Sequence, residues 1–245
     1  MNKNQDLLQN KNTGILLINK VKGKTSFNLV AILRKLLNVQ KIGHAGTLDP
    51  FATGVMVLLV GKEYTRLSDR FLNQDKEYIA TLCLGIRTDS YDCTGITTQT
   101  SPLIPSEEQI FEVVSHFQGA ITQTPPMFSA KKVKGKKLYE LARKGIEIER
   151  KEQQVTVETK ILHYEYPYLT LHISCSKGTY IRSIAEDIGL MLGSGAHLSD
   201  LCRTRSGPFL LADCIDASLL GDPTCIPNLK FLSAAEIPFL NAGIC

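Results

Sequence analysis

Strand-like and helix-like segments follow one another along this chain without the regular strand–helix–strand rhythm that a parallel sheet requires. Gly14-Ile-Leu-Leu-Ile18 reads as a short buried strand. Tyr78, Ala80, Leu82 and Leu84 share one face of a second strand, and Leu169, Leu171, Ile173 and Cys175 share one face of a third. Three helices are predicted among them. The first has Ser26 as its N-cap and runs to about Leu37, with Val30, Leu33, Leu36 and Leu37 in a stripe. The second opens with the capping-box pattern Ser106-Glu-Glu-Gln109 and carries Ile110, Val113, Val114 and Phe117 inward. The third starts near Thr179 and buries Ile181, Ile184, Ala185 and Ile188. Together these signals predict an α+β fold with a mixed, mainly antiparallel central sheet flanked by helices.

The longest purely apolar run, Val55 to Val60, has six residues, against roughly 20 needed to cross a bilayer. Residues 1–13 are mostly Asn, Gln and Lys and lack the apolar stretch of an export signal, so they read as a flexible N-terminus. The seven cysteines include no CxxC pair, and His44, His116, His163, His172 and His197 form no HxH or HxxxH. No metal site is expected from such scattered residues, and free thiols fit a reducing cytoplasm.

Charge is unevenly placed. The chain as a whole is +4, yet residues 131–151 hold nine basic residues against Glu140, Glu147 and Glu149. A solvated helix face would explain such a run. The setting after Pro125 and Pro126, with Tyr139 inside, instead suggests an extended basic insertion, about residues 124–151, able to follow a phosphate backbone. Lys131, Lys132, Lys134, Lys136 and Lys137 are its candidate backbone contacts.

The stretch most suggestive of chemistry is Gly43-His-Ala-Gly-Thr-Leu-Asp-Pro-Phe-Ala-Thr-Gly54. Its glycines let backbone approach a ligand closely, and Pro50 pushes Asp49 out of the helical region and onto a turn. An aspartate in a turn often does no more than bond nearby amides. The spacing matches neither GxGxxG nor a Walker phosphate loop, which argues against nucleoside triphosphate binding.

This stretch resembles the signature of the bacterial tRNA pseudouridine-55 synthase family, close to GHxGxLDPxATG. Four further segments resemble that family in order and spacing. They are Gly14 to Lys20; Asp75-Lys-Glu-Tyr78 with Leu84 to Asp89; Pro126-Met-Phe-Ser-Ala130 with Gly135 to Ile146; and Cys175 to Arg182 with Gly195 to Gly207. The agreement runs from about residue 14 to about residue 210. Members commonly carry a further PUA-type RNA-binding domain. The expectation here is one catalytic domain over 14–245 without it, closed by a segment over about 211–245.

The resemblance implies a cofactor-free isomerase that converts uridine 55 in the T loop of tRNA to pseudouridine and also aids tRNA folding. It implies a cytoplasmic monomer that binds the tRNA T arm and needs neither a protein partner nor a membrane. Asp49 matches the nucleophile, and Arg182 the arginine that pairs with it. Tyr78 matches the tyrosine lying against the target base, which can take the C5 proton. Tyr180 and Leu201 match residues that hold the flipped base, His44 the one that enters the RNA loop, and Lys20 the lysine of the opening strand, counted among the substrate-binding residues. Three alternatives stand beside this reading: a guide-RNA-dependent relative, a non-catalytic tRNA chaperone, and an unrelated aspartate-nucleophile hydrolase.

Overall fold

A computed structural model describes residues 12–129, 131–133, 135–221 and 223–241. In chain order the strands and helices are β1 (Gly14–Lys20), α1 (Ser26–Leu37), β2 (Ile42–His44), β3 (Thr53–Val60), α2 (Lys62–Thr65), α3 (Ser68–Leu72) and β4 (Lys76–Leu84). Next come β5 (Ile86–Thr88), β6 (Thr97–Thr100), α4 (Glu107–Ser115), β7 (Gly119–Gln123), β8 (Lys132–Val133), β9 (Lys136–Lys137) and α5 (Leu138–Ala142). The rest are β10 (Gln153–Glu165), β11 (Tyr168–Cys175), α6 (Ile181–Met191), β12 (Ala196–Ser206), β13 (Phe209–Leu210), β14 (Ile215–Asp216) and α7 (Pro238–Asn241). No described helix is long and apolar enough to cross a membrane.

The chain divides into two compact units, Met1–Lys76 with Cys202–Cys245, and Glu77–Leu201. In the first, β1 lies between β14, to which it is parallel, and β3, to which it is antiparallel with Gly14 opposite Val60 and Lys20 opposite Gly54. The far edge of β3 is shared by two partners. Its start runs parallel to β12 at Cys202 and Arg203, and its end pairs antiparallel with β2 from Leu58 to Val60. One face buries Ile15, Leu17, Val55, Val57 and Leu59 against Phe71, Phe209, Ile237 and Leu240. Phe71 stacks on Phe209 at 6.1 Å and meets Phe239 edge-on at 5.1 Å, contacts worth about 0.5–1.5 kcal/mol each beyond area burial. Leu16, Ile18, Met56 and Leu58 on the other face are buried as well, so this half-sheet is covered on both sides.

Helix α1 forms where the sequence predicted it, but its cap sits one residue earlier. Thr25 Oγ1 accepts from Asn28 N at 3.0 Å, and Asn28 Oδ1 accepts in return from Thr25 N at 2.8 Å. That reciprocal box satisfies two otherwise orphaned donors. It frees the hydroxyl of Ser26, the expected cap, for a different task described below.

In the second unit the strand order is β12-β4-β11-β10-β7. The β10–β11 hairpin pairs antiparallel, with a register shift between Ile161 and His163, and β7 closes the edge against β10 from Gln153 to Val157. Tyr78, Ala80, Leu82 and Leu84 are buried on β4, as are Leu169, Leu171, Ile173 and Cys175 on β11. Helix α6 buries Ile181, Ile184, Ala185 and Ile188. Its first residue is Ile181, with Tyr180 as N-cap, two residues beyond the predicted start. Helix α4 does begin with the Ser106–Gln109 capping box. The mixed, mainly antiparallel α+β architecture is the one the sequence patterns predicted.

Candidate active site

In the first unit the Asp49 turn is fixed from both sides by residues remote in sequence. Ser26 Oγ accepts from Leu48 N at 3.0 Å and donates to Leu48 O at 3.2 Å, which imitates one rung of a strand ladder. On the other side, Pro50 O accepts from Gly23 N at 2.8 Å and from Lys20 Nζ at 3.2 Å. Ala52 N closes the turn on Asp49 O at 3.1 Å. Each such bond contributes about 0.5–1.5 kcal/mol net. The carboxylate between these anchors is half-buried.

Arg203 completes this part of the site. Between the two partner strands on the edge of β3, its Nε donates to Val55 O at 2.7 Å, and Nη2 reaches Gly46 O at 3.2 Å. The side chain is 1% exposed. Gly54 makes this possible: its φ is +106°, and an added Cβ would stand 2.2 Å from Arg203 O. Only glycine fits there, which gives the last glycine of the Gly43–Gly54 stretch its physical reason.

Two expected binding residues lie in the same unit. His44, on β2, is half-buried, and burial together with the charge of Arg203 holds its imidazole below the usual range. Its ring is therefore neutral near pH 7, suited to stacking rather than to phosphate attraction. Lys20 is wholly buried, and Nζ donates to three carbonyls: Val21 at 3.1 Å, Lys24 at 2.7 Å and Pro50 at 3.2 Å. Three ammonium protons meet three acceptors, so the geometry assigns this lysine to the loop that presents Asp49.

Burial is the main cause that lowers the Lys20 amine to about 8; the Asp49 charge opposes this and Arg203 adds to it. Between pH 8 and 10.5 the unfolded chain still holds a proton that the folded chain has released. Stability therefore gains from this group as pH rises through that window. We expect the stability difference between wild type and Lys20→Met to move in favour of wild type by up to roughly 3 kcal/mol from pH 8 to 10.5. Melting temperatures across that range check it; a constant difference would contradict the buried ammonium.

In the second unit, α6 carries Arg182 in its first turn at 5% exposure. Its Nη1 donates to Ser90 O at 3.1 Å, Nη2 donates to Phe128 O at 2.8 Å, and Nη1 faces Asp92 Oδ2 at 3.5 Å. Asp92 is oriented in turn, because its Oδ1 accepts from Ser90 Oγ at 2.8 Å, Thr94 N at 2.9 Å and Thr94 Oγ1 at 2.6 Å. Tyr91 within this turn has φ +63°, a left-handed conformation costing about 1–2 kcal/mol for a residue with Cβ. The hydrogen bonds around Asp92 offset that cost. Tyr78 on β4 and Leu201 on β12 are buried at 8% and 5% exposure, and Tyr180 is half-buried at the N-cap of α6.

The basic insertion is not extended throughout. It forms the β8–β9 hairpin followed by α5, anchored by the fully buried Leu138. Arg150 Nη1 ties its far end back to Pro125 O at 3.2 Å, and Arg143 lies 5.5 Å over the Tyr139 ring. Lys131 is half-buried and donates to Gln153 Oε1 at 3.0 Å. Lys134 and the side chains of Lys132, Lys136 and Lys137 lie outside the described residues. Among the described residues, no group of His, Cys, Asp and Glu could hold a metal ion.

Sequence reading missed three residues: in the first unit Ser26 as a loop clamp and Arg203 as a buried cation, and in the second Asp92 as a partner of Arg182. The run Ser90-x-Asp92-x-Thr94, a typical side-chain-to-backbone turn pattern, was the signal available for the last.

Comparison with known proteins adds an independent line. Residues 34–181 match the profile of the TruB family pseudouridylate synthase N-terminal domain, and residues 182–225 that of the tRNA pseudouridylate synthase B C-terminal domain. The tRNA pseudouridine synthase B of Protochlamydia amoebophila is 65% identical over 84% of this chain and 78% of its own length. That of Chlamydia pneumoniae is 58% identical over 89% of this chain and 93% of its own. Among solved structures, a chain of a Cbf5-Nop10-Gar1 complex superposes with a TM-score of 0.68 at 32% identity, covering 89% of this chain. This chain spans only 55% of that one.

Proposed function

The chain belongs to the TruB family of pseudouridylate synthases, and on that premise we propose that it isomerises uridine 55 in the T loop of tRNA. The geometry that carries this reading is a half-buried carboxylate, Asp49, on a turn clamped at both neighbouring residues and accompanied by two buried cations, Lys20 and Arg203. A nucleophile has to be held in its reactive geometry, and this turn is built to hold one.

In the reaction the N1–C1′ bond breaks, the uracil turns, and a C5–C1′ bond forms. The proton lost from C5 is balanced by one gained at N1, so product and substrate are isomers and no electrons are gained or lost. Asp49 is the nucleophile that starts the exchange, and Arg182 supplies the guanidinium that such carboxylate chemistry uses. Tyr78 lies against the base and takes the C5 proton; Tyr180 and Leu201 hold the extruded ring, and His44 stacks in the loop it leaves. The basic insertion follows the backbone through Lys132, Lys134, Lys136 and Lys137, with Lys131 nearer its base. The enzyme works in the cytoplasm as a monomer without a protein partner. Identities of 65% and 58% to tRNA pseudouridine synthase B chains, against 32% to the Cbf5 chain, favour this over a partner-dependent mode.

Recognition then centres on the T arm, whose loop uridine is extruded at little pairing cost. We expect a minimal T-arm stem-loop to react within about tenfold of whole tRNA in kcat/KM, a difference of roughly 1.4 kcal/mol or less. Steady-state kinetics on both RNAs decide this, and a thousandfold deficit for the stem-loop would place essential contacts elsewhere on the tRNA.

A further inference from the structure

Helix α6 has no side-chain hydrogen bond of its own at its N-cap, Tyr180, although a capping Ser, Thr, Asp or Asn is the common solution at such a position. A residue 57 positions earlier holds the backbone of that N-cap residue. Gln123, the last residue of β7, is 1% exposed. Its Oε1 accepts from Tyr180 N at 2.8 Å, and its Nε2 donates to Tyr180 O at 2.9 Å. Both ends of one side-chain amide are thus used on one backbone residue.

The neighbouring strand repeats the device. Gln153 of β10 pairs directly with Gln123, and directly opposed residues of antiparallel strands project to the same face. Gln153 Nε2 donates to Gly178 O at 2.7 Å, while Lys131 from the basic insertion donates to its Oε1 at 3.0 Å. Ser183 Oγ adds a bond to Thr124 O at 2.8 Å. In the turn from Ser176 to Tyr180, Ser176 N still bonds Thr156 O of β10 at 2.9 Å and Thr179 Oγ1 donates to Ser176 O at 2.9 Å. At its last residue, the N-cap of α6, the Gln123 amide holds both backbone groups of Tyr180. Arg182 lies two residues on, about 3 Å along the helix axis. Its guanidinium must meet fixed acceptors at Ser90 O and Phe128 O.

We propose that Gln123 is a positioning residue for the isomerisation: its amide fixes the Tyr180 backbone and thereby the placement of Tyr180 and Arg182. The proposal rests on the reading that those two residues serve the reaction. A displacement of about 1 Å at a reacting group can cost about a hundredfold in rate, so losing both amide bonds affects catalysis beyond stability alone.

The test is single-turnover kinetics on tRNA, with rates normalised to the folded fraction by circular dichroism, and with tRNA dissociation constants measured separately. Gln123→Met keeps the length and apolar bulk but neither bond. It is expected to lower the rate by about 30-fold to 100-fold while the dissociation constant stays within about threefold. In an Arg182→Lys background the same change should cost less than about threefold, because residues acting through one another are not additive. A wild-type rate for Gln123→Met, a loss confined to binding, or an equal loss in both backgrounds would overturn the proposal. Should Gln123→Met not fold, Gln123→Asn, with its amide one methylene too short, is judged by the same three criteria. Failure of the functional reading looks different: the wild-type protein itself would not isomerise tRNA.

Discussion

Asp49→Asn is expected to abolish isomerisation, lowering the single-turnover rate by at least about four orders of magnitude, with tRNA affinity kept within about tenfold. The amide is nearly the size of the carboxylate but cannot act as a nucleophile. Affinity survives because phosphate contacts dominate binding to nucleic acid, and the candidate contacts lie on other residues. The turn also survives, since Leu48 and Pro50 are held through their backbones by Ser26, Gly23 and Lys20. One side effect follows from the electrostatics. The Asp49 charge raises the Lys20 amine, so the variant should release that proton at a lower pH than wild type. Rate measurements at enzyme excess, with filter binding on the same tRNA, separate loss of chemistry from loss of affinity.

Arg182→Lys should lower the single-turnover rate by about two to three orders of magnitude although the charge is conserved. The guanidinium donates to Ser90 O and Phe128 O through separate nitrogens while facing the Asp92 carboxylate. A lysine has one nitrogen at the end of a shorter reach and cannot span that fork. Asp92 would keep its bonds from Ser90 and Thr94 but lose the planar partner at Oδ2. Weakening one member of a buried pair is costly, up to about 3–5 kcal/mol when the partner is left uncompensated. Thermal melts therefore accompany the kinetics, and a variant as fast as wild type would remove Arg182 from the catalytic set.

The sequence carried the architecture well where periodicity had a face to report. The buried faces of β4, β11 and α6 were readable because burial on one side leaves a repeat of two or of 3.6. The cap of α1 was misread because Thr25 and Ser26 are both good capping residues. What separates them is tertiary: the Ser26 hydroxyl is taken by Leu48, 22 positions away. The same long reach hid most of the site. Arg203 lies in a segment that was recognised by resemblance, yet its role depends on the gap between β2 and β12 along β3. Lys20 entered the substrate-binding set only through the resemblance of the opening strand. A lysine stem is long enough to turn inward, however, and three loop carbonyls captured its head. Asp92 carried a local turn signature, but nothing local could indicate that Arg182, 90 positions on, would face it.

The most direct measurement uses tRNA carrying tritium at C5 of its uridines, because forming the C5–C1′ bond expels the hydrogen at C5. Wild-type enzyme should release tritium to solvent equivalent to one uridine per tRNA. That release should vanish when uridine 55 is replaced by cytidine, and should be absent with Asp49→Asn although the variant still binds the RNA. Release that persists without uridine 55, or that proceeds at the wild-type rate with Asp49→Asn, would contradict an aspartate-dependent isomerisation at that position.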